Sequence, residues 1–186
     1  ALFVCTCTGY LCPGLSSHVA EVAGLSPATY LMDNTGSGCG AAIPTLRAAS
    51  HYLAMHPDHR VAVVAVEICS AAFYISNDPG VLISLCLFGD GAAAVILDQS
   101  DAAGWRFSAF STVHVPAERE KIRFVNREGR LCNQLHRSVP EVAGAAVGVP
   151  LSSPVAEFSE SPAGKEPALT LQVTLPMPPV CVNVWL

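Results

Sequence analysis

Charge is what this 186-residue chain has least of: only 13% of its residues are Asp, Glu, Lys or Arg, against roughly 25% in ordinary soluble domains. The net charge of −5 comes without a basic stripe, so a nucleic-acid partner is excluded as an expectation. Long apolar runs are missing too. The best candidate, Val61 to Tyr74, is broken by Glu67 before it reaches the roughly 18–20 residues that a membrane helix needs. Paired metal-type cysteine motifs are absent, and Ala1-Leu2-Phe3-Val4 reads directly as strand rather than as a secretory leader. Reduced thiols in a cytoplasm are therefore expected. Cys5 and Cys7, two apart on that strand, share a face, which leaves a metal or disulfide role open. With 51% hydrophobic residues and little charge to coat a surface, the excess reads as buried strands and a large subunit contact.

What is present alternates between two periods, the pattern of a layered α/β body. Leu2 to Thr8 reads as a strand, and Gly14 to Leu25 as a helix with Leu15, Val19 and Val22 on one face. Tyr30 to Met32 reads as a brief strand. Ala41 to Met55 reads as a helix with Pro44 in its first turn and Ile43, Leu46 and Leu53 along its inner stripe. Arg60 to Cys69 is apolar until Glu67, as a central parallel strand covered on both faces would be. Glu67 must then find a hydrogen-bond partner or stay protonated, and a structural hydrogen bond is the expectation. Gly91 to Leu97 reads as a second buried strand. From Trp105 a further strand begins. Ile122 to Asn126 and Leu131 to Leu135 then suggest a hairpin, and Ser138-Val139-Pro140-Glu141 suggests a capping box opening a helix to about Val147. Seven of the fourteen prolines fall in residues 148–186, which predicts an irregular tail.

The stretch 34–49, NTGSGCGAAIPTLRAA, sets Cys39 between glycines just ahead of a helix. A helix N-terminus favours a thiolate, so the position predicts a lowered thiol pKa and a nucleophile. Gly36, Gly38 and Gly40 would allow a sharp strand-to-helix turn with room for an acyl group. The same residues also fit a cysteine that merely fills a small buried space beside a glycine turn.

Four segments together, VCTCTGYLCPGL, GSGCGAA, EICSAAFY and SLCLFGDGAAAVIL, resemble in order and spacing the type III polyketide synthases, the chalcone synthase-like condensing enzymes. Residues 121–139, KIRFVNREGRLCNQLHRSV, resemble the bacterial more than the plant branch, and the similarity covers roughly residues 1–147. The resemblance implies an α/β, thiolase-like layered fold, incomplete here. Residues 1–100 would be the nucleophile-bearing N-terminal half, 101–147 the start of the C-terminal half, and 148–186 a tail unlike anything in the family. It implies that Cys39 is the nucleophile, taking an acyl group from a CoA thioester for decarboxylative condensation with malonyl-CoA. These CoA thioesters would be substrates, and no cofactor is implied. Phe88 falls on an aromatic gatekeeper position, or is a core phenylalanine. Cys69, Ala71, Ala72, Cys7 and Thr8 fall on cavity-wall positions. Cys12 falls on a loop that crosses the family's dimer interface, or is a plain turn residue.

The family completes its site with a His-Pro-Gly-Gly histidine and a Gly-Asn asparagine, and neither motif occurs in this sequence. His56-Pro57 continues with Asp58, and His114 and His136 fall at non-catalytic places in the resemblance. The expected activity is thus acyl transfer of the polyketide synthase type, impaired in this chain alone, with a homodimer or a dimer with a full-length subunit as the assembly. A ketoacyl-ACP synthase III-like enzyme and a catalytically dead, truncated subunit are the alternatives.

Overall fold

The computed structural model describes residues 1–100, 105–146 and 180–185. The remainder of the proline-rich stretch lies outside the described residues. The chain divides into two units, Ala1–Ala102 with Arg123–Leu135, and Ala103–Ile122 with His136–Leu186.

The first unit is built on a four-stranded sheet of order β2-β1-β3-β4. Strand β1 (Leu2–Thr6) is buried along its whole length, because parallel neighbours flank it on both sides: Leu2 stands opposite Leu31 of β2 (Leu31–Thr35) and Ala62 of β3 (Val61–Glu67). Helix α1 (Leu15–Val22) connects β1 to β2, and α2 (Ala42–Met55) connects β2 to β3. These are the crossovers that parallel pairing demands. Strand β1 stops at Thr6 rather than at Thr8 because the Cys7 N–H leaves the ladder for the Glu67 carboxylate. Strand β2 extends past Met32 through Asp33, Asn34 and Thr35. Two of these polar residues gain specific partners: Asp33 takes both the N–H and the hydroxyl of Ser16, and Asn34 binds Thr45.

The main core lies between α2 and the sheet, where Phe3, Ala49, Leu53, Val61 and Val63 form one buried cluster. The buried stripe of α2 is Thr45, Ala49 and Leu53, with Leu46 packed at its margin and Ile43 only half-buried. Three expected burials do not hold. Val22 on α1 is 90% exposed; that helix turns Ser16 inward instead, because Asp33 satisfies it. Strand β4 (Gly91–Leu97) pairs antiparallel with β3 but is exposed from Gly91 to Ile96, since β3 is its only neighbour in the sheet. Strand β3, although flanked by β1 and β4, is not covered on both faces either: Val61 and Val63 are buried, while Val64 to Glu67 are half-exposed.

Helix α3 (Pro79–Leu87) is an element that periodicity does not reveal, since PGVLISLCL is apolar all round. Its start was nonetheless written in the chain. The Asp78 carboxylate accepts from the N–H groups of Gly80 and Val81 at 2.7 and 3.3 Å, and Pro79 takes the first helical position, where a missing N–H costs least. The hairpin of β6 (Ile122–Arg127) and β7 (Arg130–Leu135) turns through Glu128 and Gly129 alone, both at positive φ (53° and 79°), as a two-residue hairpin turn requires. In the second unit, β5 (Ala109–His114) pairs in parallel with β8 (Val180–Trp185), a strand inside the stretch expected to be irregular. Helix α4 (Val139–Ala146) follows Ser138, whose hydroxyl lies 2.8 Å from His136 Nδ1.

Candidate active site

The turn between β2 and α2 carries Cys39. Gly36 and Gly38 sit at φ 74° and 73°, the left-handed region in which side chains with a Cβ are strained. Ala41 N–H bonds back to Gly38 and Ile43 N–H to Gly40, so the chain coils tightly before the helix begins. The turn is pinned from below. Asn34 Nδ2 donates to Thr45 Oγ1 at 2.9 Å, Thr45 Oγ1 donates to the Ala41 carbonyl at 2.6 Å, and Ser37 Oγ donates to Asn34 Oδ1. Thr45 is fully buried. Thr45→Val keeps the shape but strands the Asn34 N–H. It should cost about 1–3 kcal/mol, read as a lowered midpoint in urea unfolding.

Cys39 is exposed, yet its thiol pKa is raised, first by the desolvation of crowding protein atoms and second by the negative charge of Glu67. This corrects the expectation of a lowered pKa. Helix α2 proper starts at Ala42, three residues past the thiol, and the dipole effect fades beyond the first turn. Among the described residues, only a backbone N–H bond pulls the value down, and no cation contributes.

Glu67 is the organising group. Its carboxylate accepts from the Cys7 N–H at 2.8 and 3.1 Å and from the Thr8 hydroxyl at 2.8 Å. Thr8 Oγ1 in turn accepts the Ile68 N–H at 2.7 Å. The expected structural hydrogen bond is thus present, and it ties the end of β3 to the end of β1. Cys7 and Cys69 both feel the Cys39 charge, and all three thiols feel Glu67. The Cys7 thiol is pushed up to about 12, by burial first and then by Glu67 and Cys39, although the Gly38 N–H offsets part of this. A thiol pKa raised on folding stabilises the native state fully below the unfolded value near 8.5. That contribution is lost as pH rises toward the folded value. Unfolding midpoints should therefore fall progressively between about pH 9 and 12, and Cys7→Ser should flatten that fall.

A small pocket with a cavity volume of about 40 Å³, open to solvent, is lined by Thr8, Cys69, Ala72 and Phe88 among others. Four of the residues singled out by sequence are thereby brought together. Cys69, at its wall, also feels the Cys39 charge. Phe88 is half-buried at its wall. Asp90 fixes the short 3-10 turn Cys69–Ala72 by accepting the Ser70 N–H and hydroxyl at 2.8 and 2.6 Å, and the Ser70 hydroxyl bond holds its own pKa below the usual carboxylate range. Cys7 and Cys39 do not line the pocket, nor do Ala71 and Cys12, both exposed. Sequence reasoning missed Asn34, Thr45 and Asp90, which brace the site, and Phe124 and Asn133, which reach the pocket from the hairpin. The signal available for the last pair was the hairpin itself, which sets Phe124 and Asn133 on adjacent strands.

Among the described residues, no histidine contributes to the electrostatics of Cys39. His56 and His59 stack at 4.9 Å beyond the end of α2, with His59 Nδ1 2.9 Å from the Tyr52 hydroxyl. Among the described residues, no group of three or more His, Cys, Asp or Glu could hold a metal ion, and no helix is long and apolar enough to cross a membrane.

A family model for FAE1/Type III polyketide synthase-like protein matches residues 2–152. The chain belongs to this family. Relatives within it include the 3,5-dihydroxyphenylacetyl-CoA synthase of Amycolatopsis orientalis, 31% identical over 144 residues, which make up 75% of this chain and 39% of that protein. Another is the 1,3,6,8-tetrahydroxynaphthalene synthase of Streptomyces griseus, 29% identical over 137 residues, 73% of this chain and 37% of that one. The chain thus spans about two fifths of the length of the curated relatives it matches. Among solved structures, 1,3,6,8-tetrahydroxynaphthalene synthase from Streptomyces coelicolor A3(2) superposes with a TM-score of 0.67 at 22% identity, covering 89% of this chain and 47% of that one. Germicidin synthase from Streptomyces coelicolor gives 0.68 at 21%, covering 95% and 50%. The fold is accordingly the thiolase-like α/β fold of type III polyketide synthases, represented in part.

Proposed function

We propose that this chain is the acyl-accepting portion of a type III polyketide synthase, with Cys39 as the nucleophile. The observation that carries the reading is the Cys39 turn, made by glycines in the left-handed region and held by the Asn34–Thr45 brace, with its thiol electrostatically linked to Cys69, which lines a small open pocket. In the loading step the Cys39 thiolate attacks the carbonyl carbon of an acyl-CoA. The new S–C bond forms as the bond to the CoA sulfur breaks, and CoA leaves as a thiolate that takes up a proton. In the condensing step malonyl-CoA loses CO2, its carbanion attacks the Cys39 thioester carbonyl, and the thiolate of Cys39 departs. Thr8, Cys69, Ala72 and Phe88 would border the acyl chain, and Ala71 and Cys7 the outer parts of its wall.

The raised Cys39 thiol supports a slow loading step in this chain alone. The sequence also carries no match to the family's His-Pro-Gly-Gly and Gly-Asn motifs, and losing one oxyanion donor typically costs a factor of about 10²–10³. A homodimer, or a dimer with a longer subunit, fits this need. Cys12 lies on an exposed loop beside Tyr10 and Leu11, which are 58% and 53% exposed, a surface suited to a subunit contact. A cytoplasmic setting keeps Cys5, Cys7, Cys12, Cys39, Cys69, Cys86 and Cys132 as the free thiols they are. Incubation with an acyl-CoA followed by intact-mass measurement should show one acyl adduct that Cys39→Ala removes completely. Persistence of the adduct in that variant would sink the proposal.

A further inference from the structure

Cys39 sits in the middle of the arc 37–41, and one side chain outside that arc reaches both of its ends. Asn34, on β2, accepts a hydrogen bond at Oδ1 from the Ser37 hydroxyl, ahead of the thiol. Its Nδ2 donates to the Ala41 carbonyl at 3.4 Å, beyond the thiol, and to Thr45 Oγ1 at 2.9 Å. Thr45 Oγ1 commits its one proton to the same Ala41 carbonyl at 2.6 Å. It can therefore only accept from Asn34, which fixes which end of the amide faces which end of the arc. Thr45 is fully buried on α2, so the clamp is anchored in the helix. Among the described residues other than its chain neighbours, nothing lies within 4 Å of where a Gly38 Cβ would stand. Packing on that side gives the arc no support.

We propose that Asn34 is a positioning residue: by bridging Ser37 and Ala41 it holds Cys39 at the crowded centre of its turn and so sets how readily that thiol reacts. Two influences there favour the protonated thiol, crowding by protein atoms first and the Glu67 carboxylate second. Both weaken with distance, so both depend on the arc staying in place. The titratable groups around it are Glu67 at the end of β3, Cys7 beyond β1 and Cys69 in the 3-10 turn. Tyr10 lies against the start of the turn, its ring 3.8 Å from where a Gly36 Cβ would stand. An arc released from the clamp admits water to the thiol and lets it draw away from Glu67, which favours the thiolate. Loss of the bond from the thiol's own backbone N–H acts the other way but ranks last among the causes. The proposal takes its significance from the acyl-accepting reading above, yet it concerns only how the thiol is placed.

The test follows alkylation of Cys39 by iodoacetamide between about pH 7 and 10, a span that includes the ordinary thiol range, with the site read by peptide mapping and thermal melting recorded alongside. No acyl-CoA is used, so a failure to load acyl groups stays a separate result. Asn34→Leu keeps the bulk of the side chain and leaves Thr45 bonded to the Ala41 carbonyl, so the fold should survive. Its Cys39 profile should move to lower pH, with the rate at pH 8 rising about twofold or more, because the larger thiolate fraction outweighs its weaker nucleophilicity. Ser37→Ala cuts one end of the clamp and should move the profile less, in the same direction; it carries the test if Asn34→Leu folds poorly. Thr45→Ser keeps the bridging hydroxyl and should keep the parent profile. Leu53→Ala, destabilised through the core cluster, should melt lower yet leave the profile in place. An unchanged Cys39 profile in whichever clamp variant is folded, a shift to higher pH, or profiles that simply follow the melting points across the set would overturn the proposal.

Discussion

Phe3→Ala is expected to destabilise the first unit by about 3–5 kcal/mol, a large share of the roughly 5–15 kcal/mol that holds a domain folded. Phe3 is 2% exposed in the middle of β1 and belongs to the cluster with Ala49, Leu53, Val61 and Val63. Its ring also lies 5.9 Å from both Tyr30 and Tyr52, which stack on each other at 5.4 Å. Truncation thus removes apolar burial and two aromatic contacts, and it leaves a cavity between the sheet and α2 that cannot close without moving α2. The consequence for the site is direct, because β1 runs into Cys7 and Thr8, and α2 follows the Cys39 turn. Urea unfolding followed by far-ultraviolet circular dichroism should show a strongly lowered midpoint, whereas Val22→Ala, on an exposed position, should leave it within about 0.5 kcal/mol of the parent.

Glu67→Gln should raise the reactivity of Cys39 toward iodoacetamide several-fold at pH 8, because it deletes the negative charge that stands second only to burial in holding that thiol protonated. The sign follows from the charges: a neighbouring carboxylate disfavours the thiolate, so removing it lowers the thiol pKa and enlarges the reactive fraction. Cys69 and Cys7 share the same influence and should shift in the same direction, whereas exposed Cys86 on α3 gives an internal reference. The variant keeps an oxygen for the Cys7 N–H, so its melting midpoint should change less than that of Glu67→Ala. A Cys39 rate that stays level with the parent would show that burial alone governs the thiol. The wild type's own profile should rise steeply with pH through and beyond the ordinary thiol range.

Much of this architecture was legible in the chain, for identifiable reasons. LFVCT and VAVVAVE are apolar enough to be central strands, and the glycines around Cys39 mark a turn that few other residues could make. Glu67 at the end of an apolar run demanded a partner, and Cys7 and Thr8 supply it. Legibility fails where tertiary partners override local preference. Asp33 and Asn34 look like turn residues, yet they complete β2 because Ser16 and Thr45 receive them. Helix α3 is apolar on every side, so its period is silent and only Asp78-Pro79 announces it. Strand β4 reads as buried because composition cannot report that only β3 flanks it. The thiol pKa was misread because a dipole argument needs the helix to begin at the cysteine, and it begins at Ala42. At the pocket, Phe88 and Ala72 were found through resemblance, whereas Asn133 becomes visible only when the hairpin is seen against Ser84.

The most direct test of Cys39 as the acyl acceptor is to treat the protein with an acyl-CoA at pH 7 and pH 9 and to locate the acyl group by peptide mapping. The account predicts a single acylated peptide, the one containing Cys39, with occupancy higher at pH 9 because the thiol is held above its ordinary range. Acylation centred on the exposed Cys12 or Cys86, or none on Cys39 at either pH, would contradict it.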